Sequence, residues 1–141
     1  METFFELLES TSKPDEATWI TWRKLINMTE KELQDFYDSD DGKDAGMKQS
    51  DANKLQIDSG RESARMLIKM IPIGKTFELA SKNWTPTMWE WCKKQNSFNS
   101  RMRGMRKRMV GNPFERDGKK TRWLKSLLIW GHDPRKKINK I

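Results

Sequence analysis

Apolar residues recur along this chain at steps of three and four residues, the spacing that gathers them on one side of an α-helix. Five segments carry the pattern, and each starts at a side chain that can accept hydrogen bonds from the free N–H groups of a first helical turn. Their starts lie at 12–16, Thr29, Ser59, Thr85 and Thr121. At Thr29 and Ser59 a glutamate follows three positions later, which is the capping-box pattern. The longest predicted helix runs from about Pro86 to Arg103 and stops at Gly104.

Three stretches lie between or beyond these helices. Residues 38–50 are acidic, contain two glycines and lack periodicity, so we expect a loop there. The turn-forming residues at 111–113 and 117–118 predict a small β-hairpin near 110–120. Residues 135–141 have too little apolar content to dock on a core and are expected to form a mobile basic tail. The sequence thus predicts a mainly α, compact single-domain helical fold over 13–134, preceded by an N-terminal helix or a removable leader at 1–12.

Large apolar side chains make a core feasible although only 35% of the 141 residues are hydrophobic. The chain has seven Trp, six Phe and nine Met, so each buried position contributes a large area. A single Cys excludes an internal disulfide framework, and a single His excludes most zinc sites. The longest apolar run, 127–130, is far shorter than the roughly 20 residues that cross a bilayer. We therefore expect no membrane partner and no cofactor.

Charge divides the chain into two halves. Residues 1–58 hold 14 acidic and 7 basic residues, a net charge of −7, whereas residues 59–141 hold 6 acidic and 21 basic residues, a net charge of +15. A basic excess of this size points to a polyanionic partner. The alternative that the acidic half folds across the basic half stays open, although a charge of −7 cannot cancel one of +15.

The densest basic segment spans 101–125. Arginine offers a phosphate a planar set of N–H donors, and each cation that contacts a phosphate releases condensed counterions. We predict phosphate contact by the basic side chains of this segment, which are Arg101, Arg103, Arg106, Lys107, Arg108, Lys119, Lys120, Arg122 and Lys125. The basic tail is expected to add nonspecific affinity. Trp84 and Trp89 lie outside the clearest apolar stripes, so we predict them as stacking platforms for unpaired bases.

Catalysis has weaker support in the sequence. Cys92 lies within an apolar stripe, so we expect a buried thiol rather than an activated nucleophile. His132 and Asp133 stand next to the tail, where an exposed or capping role is favoured over that of a general base. The alternative of a small metal-dependent nuclease, using Glu62, Glu90 or Asp133 with a divalent ion, stays open. We therefore predict that the protein binds a partner and does not catalyse a reaction.

Several motifs are spread over most of the chain. They are WxxWRKLINMT at 19–29, DSGRESA at 58–64, WEWC at 89–92, SRMRG at 100–104 and LLIWGHDP at 127–134. Together they resemble a family of small uncharacterised bacteriophage proteins. The resemblance implies a phage source and carries no activity with it.

A second, local pattern lies at the N-terminus. The segment METFFELLES is similar to the capsid-targeting leader of internal head proteins of large tailed phages, which a prohead protease removes after a Leu/Ile-x-Glu step. The resemblance implies cleavage between Glu9 and Ser10. The alternative stays open that this segment is an ordinary amphipathic first helix, which packs Phe4, Phe5, Leu7 and Leu8 on the core. Cleavage would raise the net charge from +8 to +11, which suits packaging with DNA.

These observations predict a phage-encoded small basic nucleic-acid-binding protein that contacts the phosphate backbone through its C-terminal half and is packaged with the genome. DNA is favoured over RNA, and the expected location is the host cytoplasm or the virion interior. The alternative is a virion or host-interaction protein whose basic face binds an acidic protein partner. The sequence leaves open the type of strand, the sequence specificity and the oligomeric state.

Overall fold

The computed structural model describes residues 12–45 and 59–141, which form seven α-helices and one short β-hairpin. The helices are α1 (Glu16–Leu25), α2 (Glu30–Asp38), α3 (Asp40–Lys43), α4 (Gly60–Ile73), α5 (Phe77–Asn83), α6 (Pro86–Gly104) and α7 (Arg122–Ile129). A 3₁₀ helix, η1 (Met105–Arg108), continues α6, and the strands are β1 (Glu115–Arg116) and β2 (Lys119–Lys120). The predicted mainly α, compact fold with a small hairpin is confirmed. None of the helices in these two ranges is both long enough and apolar enough to span a membrane.

The predicted helix starts are confirmed by their capping hydrogen bonds. The Thr29 hydroxyl accepts from the Glu32 N–H at 3.1 Å, and the Glu32 carboxylate accepts from the Thr29 N–H at 3.0 Å, which completes a capping box. The hydroxyls of Ser59, Thr85 and Thr121 each accept from the N–H three residues later, at 3.1 to 3.2 Å. Each bond satisfies a donor that a helix leaves free at its first turn.

Tryptophan rings fill the core between α1, α4 and α6. The Trp22 ring meets Trp84 edge to face at 4.7 Å between centroids, and Trp84 meets Trp89 in the same way at 4.8 Å. The indole N–H of Trp22 donates to the Gln95 side-chain oxygen at 2.8 Å, and that of Trp84 donates to the Met70 backbone carbonyl at 3.1 Å. Because Trp22 and Trp84 have partners for their buried N–H groups, they bury a large area without an unsatisfied donor.

The predicted hairpin is confirmed near 110–120. Asp117 and Gly118 form its two-residue turn with φ angles of 56° and 76°, both left-handed. Such a turn matches the natural twist of the flanking strands. The strands pair antiparallel, with Glu115 opposite Lys120 and Arg116 opposite Lys119.

The acidic segment predicted as a loop over 38–50 contains a helical turn. The Ser39 hydroxyl accepts from the Gly42 N–H at 3.0 Å and caps α3. From α4, the Arg61 guanidinium donates to the backbone carbonyls of Tyr37 and Gly42 at 3.1 and 3.0 Å. A Cβ on Gly42 would overlap a backbone carbonyl of α2. The loop prediction is therefore wrong for α3, because a distant arginine organises a segment with weak local helix preference; residues 46–50 lie outside the described ranges.

The C-terminal segment is docked, so the prediction of a mobile tail is wrong. The Asn139 side-chain amide donates to the backbone carbonyls of Arg23 and Ile26 at 2.8 and 2.9 Å, and its backbone N–H donates to a third carbonyl of α1 at 3.0 Å. These carbonyls end α1 and have no partner within the helix. Lys136 also forms an ion pair with Glu32 at 2.7 Å. Polar capping, rather than apolar burial, holds this segment.

The helix α5 is an element that the sequence analysis did not predict. The Thr76 hydroxyl caps it by accepting from the Leu79 N–H at 3.1 Å. Its first residue, Phe77, packs against Trp19 and Trp89 with centroids 6.4 and 6.3 Å apart. The helix thus closes the tryptophan core from one side. The leader or N-terminal helix at 1–12, with its Glu9–Ser10 step, falls outside the described ranges except for its last residue.

Candidate nucleic-acid interface

Five of the predicted phosphate-binding residues lie close together in sequence, two at the end of α6 and three in η1. We define Arg101, Arg103, Arg106, Lys107 and Arg108 as the basic cluster. All five side chains are exposed. The helical path continues past Gly104 as η1, so the five cations stand on ordered backbone rather than on a loose loop.

The basic cluster is not neutralised by carboxylates from the part of the chain that the structure describes. No aspartate or glutamate in 12–45 or 59–141 forms an ion pair with any of its members. The Arg101 Nε donates to the Ser97 carbonyl at 3.4 Å, and the Arg106 guanidinium lies 5.0 Å from the centre of the Phe114 ring. Both contacts leave guanidinium N–H donors for an external anion, since each guanidinium carries five.

Aromatic contacts fix the position of the basic cluster. The indole N–H of Trp123 in α7 donates to the Met102 carbonyl at 2.7 Å, between two arginines of the cluster. Phe114, just before β1, stacks on Trp123 with centroids 6.2 Å apart and receives Arg106 on its ring. The hairpin, η1 and the start of α7 are thereby tied together. The charged segment is held by packing as well as by helix geometry.

The other four predicted contacts divide into two pairs. Lys119 and Arg122 are exposed and pair with no carboxylate of the described residues. Lys120 and Lys125 instead form ion pairs with Asp41 and Asp44 at 3.1 and 2.9 Å. The acidic half therefore does cover part of the basic half, through Asp41 in α3 and Asp44 just after it. Since solvent-exposed ion pairs contribute about 0–1 kcal/mol, Lys120, whose side chain is 35% exposed, can exchange partners at little cost, whereas the Lys125 side chain is only 17% exposed.

The prediction that Trp84 and Trp89 offer stacking faces is wrong. Their side chains are 5% and 1% exposed, and each ring packs against other aromatic rings. Trp84 follows α5, and Phe77 of the same helix packs on Trp89. The sequence pattern did not predict α5, and the burial of both rings depends on this helix.

His132 is buried, so of the two expected roles, exposed or capping, the exposed one is wrong, and its ring instead meets the last carbonyl of α1. It is 1% exposed, and its Nδ1 lies 2.6 Å from the Leu25 carbonyl, to which it donates. Its Nε2 is buried and has no hydrogen-bond partner among the described residues. Burial lowers the pKa of His132, and the charge of Arg103 lowers it further, while the Leu25 hydrogen bond and Asp133 act in the opposite direction. The imidazole is therefore neutral at pH 7.

Stability is expected to fall below about pH 6.5 because of His132. The unfolded state, with an ordinary pKa near 6.5, binds a proton there that the folded state resists, so unfolding is favoured by up to about 1.4 kcal/mol per pH unit. We expect the urea midpoint to drop from pH 7 to pH 5.5 in the wild type and to stay nearly level in His132→Asn, whose amide can still donate to Leu25. Equal pH dependence of the two proteins would show that His132 is not responsible. The carboxylate of Glu32, whose pKa Lys136 holds below its usual range, titrates at more acidic pH.

Asp133 is engaged by a neighbouring arginine. The Arg135 guanidinium binds both of its carboxylate oxygens at 3.0 Å. Burial acts to raise the pKa of Asp133, but the hydrogen bonds from Arg135 outweigh it and hold that pKa below its usual range. The backbone N–H of Asp133 donates to the Asn27 side-chain oxygen at 2.7 Å, so the backbone and the carboxylate of Asp133 are both held in contacts within the fold.

The carboxylates named for the nuclease alternative are not assembled into a metal site within 12–45 and 59–141. No group of three or more His, Cys, Asp or Glu side chains in these ranges is placed to hold a metal ion. The Glu90 carboxylate accepts from the Ser12 hydroxyl at 2.6 Å, and Glu62 is also engaged. Cys92 is fully buried, and burial raises the pKa of its thiol, which confirms the prediction of a buried thiol.

A pocket beside the basic cluster was not predicted from the sequence. It has a volume of about 260 Å³, and the side chains that line it include Arg103, Arg106, Trp123, His132 and Lys136. The sequence around His132 contains no pattern that predicts its burial next to Arg103 and Arg106. The pocket arises from the crossing of the end of α6 with the segment that follows α7.

Compared with protein-family models, curated proteins and solved structures, the chain gives no match.

Proposed function

We propose that this protein binds the phosphate backbone of nucleic acid through the basic cluster, with Lys119 and Arg122 extending the contact. One observation carries the proposal. The five cations of the basic cluster, which lie within eight residues of sequence, are all exposed, and no carboxylate of the described residues neutralises them. An ordered row of guanidinium groups suits a line of phosphates, because each group presents a planar fork of donors. The burial of Trp84 and Trp89 removes base stacking by these rings from the proposal.

The proposed binding is sequence-independent, with DNA favoured over RNA. Phosphate contacts position a protein on nucleic acid without reading bases, and they supply most of nonspecific affinity. The resemblance to small bacteriophage proteins supplies the proposed setting, an infected cell or a virion in which the protein accompanies the genome. The docked C-terminal segment still presents Lys137 and Lys140 to solvent, so it can add to this affinity.

The test is the salt dependence of DNA binding. We expect Arg103→Ala/Arg106→Ala/Arg108→Ala to weaken binding to any duplex sequence and to reduce the slope of log affinity against log salt by about three units, since each phosphate contact contributes about 0.9. Gel shifts from 50 to 500 mM salt, with duplex DNA, single-stranded DNA and RNA, measure both quantities and identify the preferred form.

The matched control is Lys24→Ala/Lys69→Ala/Lys75→Ala, which removes the same charge from exposed positions outside the basic cluster. We expect its slope to stay near that of the wild type. An equal loss in both variants would assign the binding to net charge rather than to the cluster. Binding to an acidic polypeptide that survives excess DNA would favour the acidic-protein alternative instead.

A further inference from the structure

The pocket beside the basic cluster concentrates positive charge around a concave site. Arg103 and Arg106 line it from the end of α6 and from η1, and Lys136 lines it from the C-terminal segment. Trp123 and Pro134 supply apolar walls. At about 260 Å³ it is smaller than the pockets of about 300–1,000 Å³ that hold drug-sized ligands, so it fits a small anionic group.

The three cations are not equally available. Lys136 is bound to both oxygens of the Glu32 carboxylate at 2.7 Å, so most of its charge is already compensated. Neither Arg103 nor Arg106 has a carboxylate partner among the described residues, and the Arg106 guanidinium lies 5.0 Å from the centre of the Phe114 ring. The buried carboxylate of Asp133, which follows His132 in the sequence, is held by Arg135. The two arginines therefore carry the uncompensated charge of the pocket.

His132 adds a second, independent observation. It lines the same pocket, and its Nε2 is a buried polar atom without a partner in the described chain. Buried polar groups are normally hydrogen-bonded, so an orphaned one next to two arginines points to a missing partner. Because Nδ1 already donates to Leu25, Nε2 of the neutral ring is an acceptor, and it can meet a phosphate in two ways: by accepting from a phosphate O–H, or by taking up a proton and then donating.

We propose that this pocket binds a single phosphate group, held by the guanidinium groups of Arg103 and Arg106 and neighboured by the imidazole of His132. Phosphate is the anion whose several oxygens match two planar guanidinium groups at once. The group is a free phosphate or the terminal phosphate of a nucleic-acid strand. Binding of a terminal phosphate on a nucleic-acid strand rests on the proposed function, whereas binding of a free phosphate does not.

The test uses His132 as its reporter, because it is the only histidine in the chain and its imidazole NMR signals are unambiguous. Inorganic phosphate is titrated into the full-length protein at constant ionic strength, with chloride as the balancing salt. We expect a saturable shift of the His132 signals with phosphate and a rise of its titration midpoint, because an anion in the pocket favours the charged imidazole. Chloride alone should leave both unchanged.

Two variants separate the pocket from general charge. Arg103→Gln/Arg106→Gln should weaken phosphate binding by about tenfold or more, since each removes a charge-assisted hydrogen bond. Lys24→Gln/Lys69→Gln, which removes two exposed cations outside both the basic cluster and the pocket, should bind phosphate as the wild type does. A His132 signal that phosphate does not move, or that moves equally in both variants, would overturn the proposal.

Oligonucleotides then identify the source and separate this proposal from the proposed function. Tighter binding of a 5′-phosphorylated strand than of its 5′-hydroxyl counterpart assigns the pocket to strand ends, and equal affinity assigns it to free phosphate. If the 5′-hydroxyl strand binds but phosphate has no effect on the His132 signals, the proposed phosphate site is wrong and nucleic-acid binding stands. A phosphate effect without binding of any strand would overturn nucleic-acid binding alone.

Discussion

Trp22→Ala is expected to remove about 3–5 kcal/mol from the free energy of unfolding, the range for deletion of a large buried aromatic side chain. The Trp22 side chain is 1% exposed and packs edge to face on Trp84. Its removal also leaves the buried Gln95 side-chain oxygen without its donor, which adds about 1–3 kcal/mol of desolvation cost. Since a domain of this size has a total stability of about 5–15 kcal/mol, the variant should lose a large share of its free energy of unfolding.

Trp22→Phe is the matched control for this prediction. It keeps an aromatic ring in the cavity and loses the indole N–H, so it should cost less than the alanine variant. Urea unfolding followed by circular dichroism measures both, and the difference between them separates packing from the hydrogen bond to Gln95. An alanine variant that loses less than 1 kcal/mol would show that the tryptophan core does not carry the stability we assign to it.

Local signals predicted the helices, and contacts between distant residues explain where prediction failed. Capping residues such as Thr29 and Thr121 act within their own turn, so a single stretch of sequence contains the whole signal. The turn α3 depends on Arg61, about twenty residues away, and the docked tail depends on Asn139 reaching the end of α1. No local pattern encodes either contact.

The candidate site likewise has features that the local sequence predicts and features that depend on contacts between distant residues. The basic cluster is contiguous in sequence, so its charge density could be recognised without a structure. Its surroundings could not be recognised in this way, because Lys120 and Lys125 pair with carboxylates in and just after α3, far away in the sequence, and the pocket joins α6 to the segment after α7. The burial of His132 is a tertiary property of this kind, and it is the observation that distinguishes the pocket from the rest of the basic surface.

Gly131→Ala is expected to destabilise the fold by about 2–5 kcal/mol and to disturb His132. Gly131 ends α7 with φ of 85°, where the His132 N–H donates to the Leu127 carbonyl and the Gly131 N–H to the Leu128 carbonyl, both at 3.0 Å. A left-handed alanine costs about 1–2 kcal/mol. Its Cβ would also lie 2.8 Å from the Leu67 side chain, and overpacking a core costs about 1–3 kcal/mol.

Gly118→Ala separates these two contributions. Gly118 has a similar φ of 76°, but a Cβ there would meet nothing within 4 Å, so only the backbone cost applies and the loss should be about 1–2 kcal/mol. Urea unfolding of both variants gives the crowding contribution as their difference. The His132 NMR signals should move in Gly131→Ala and stay in place in Gly118→Ala, because only the first substitution shifts the backbone that carries the imidazole. If the two variants lose equal stability and leave His132 unmoved, the close packing of α7 against α4 is not what positions the pocket.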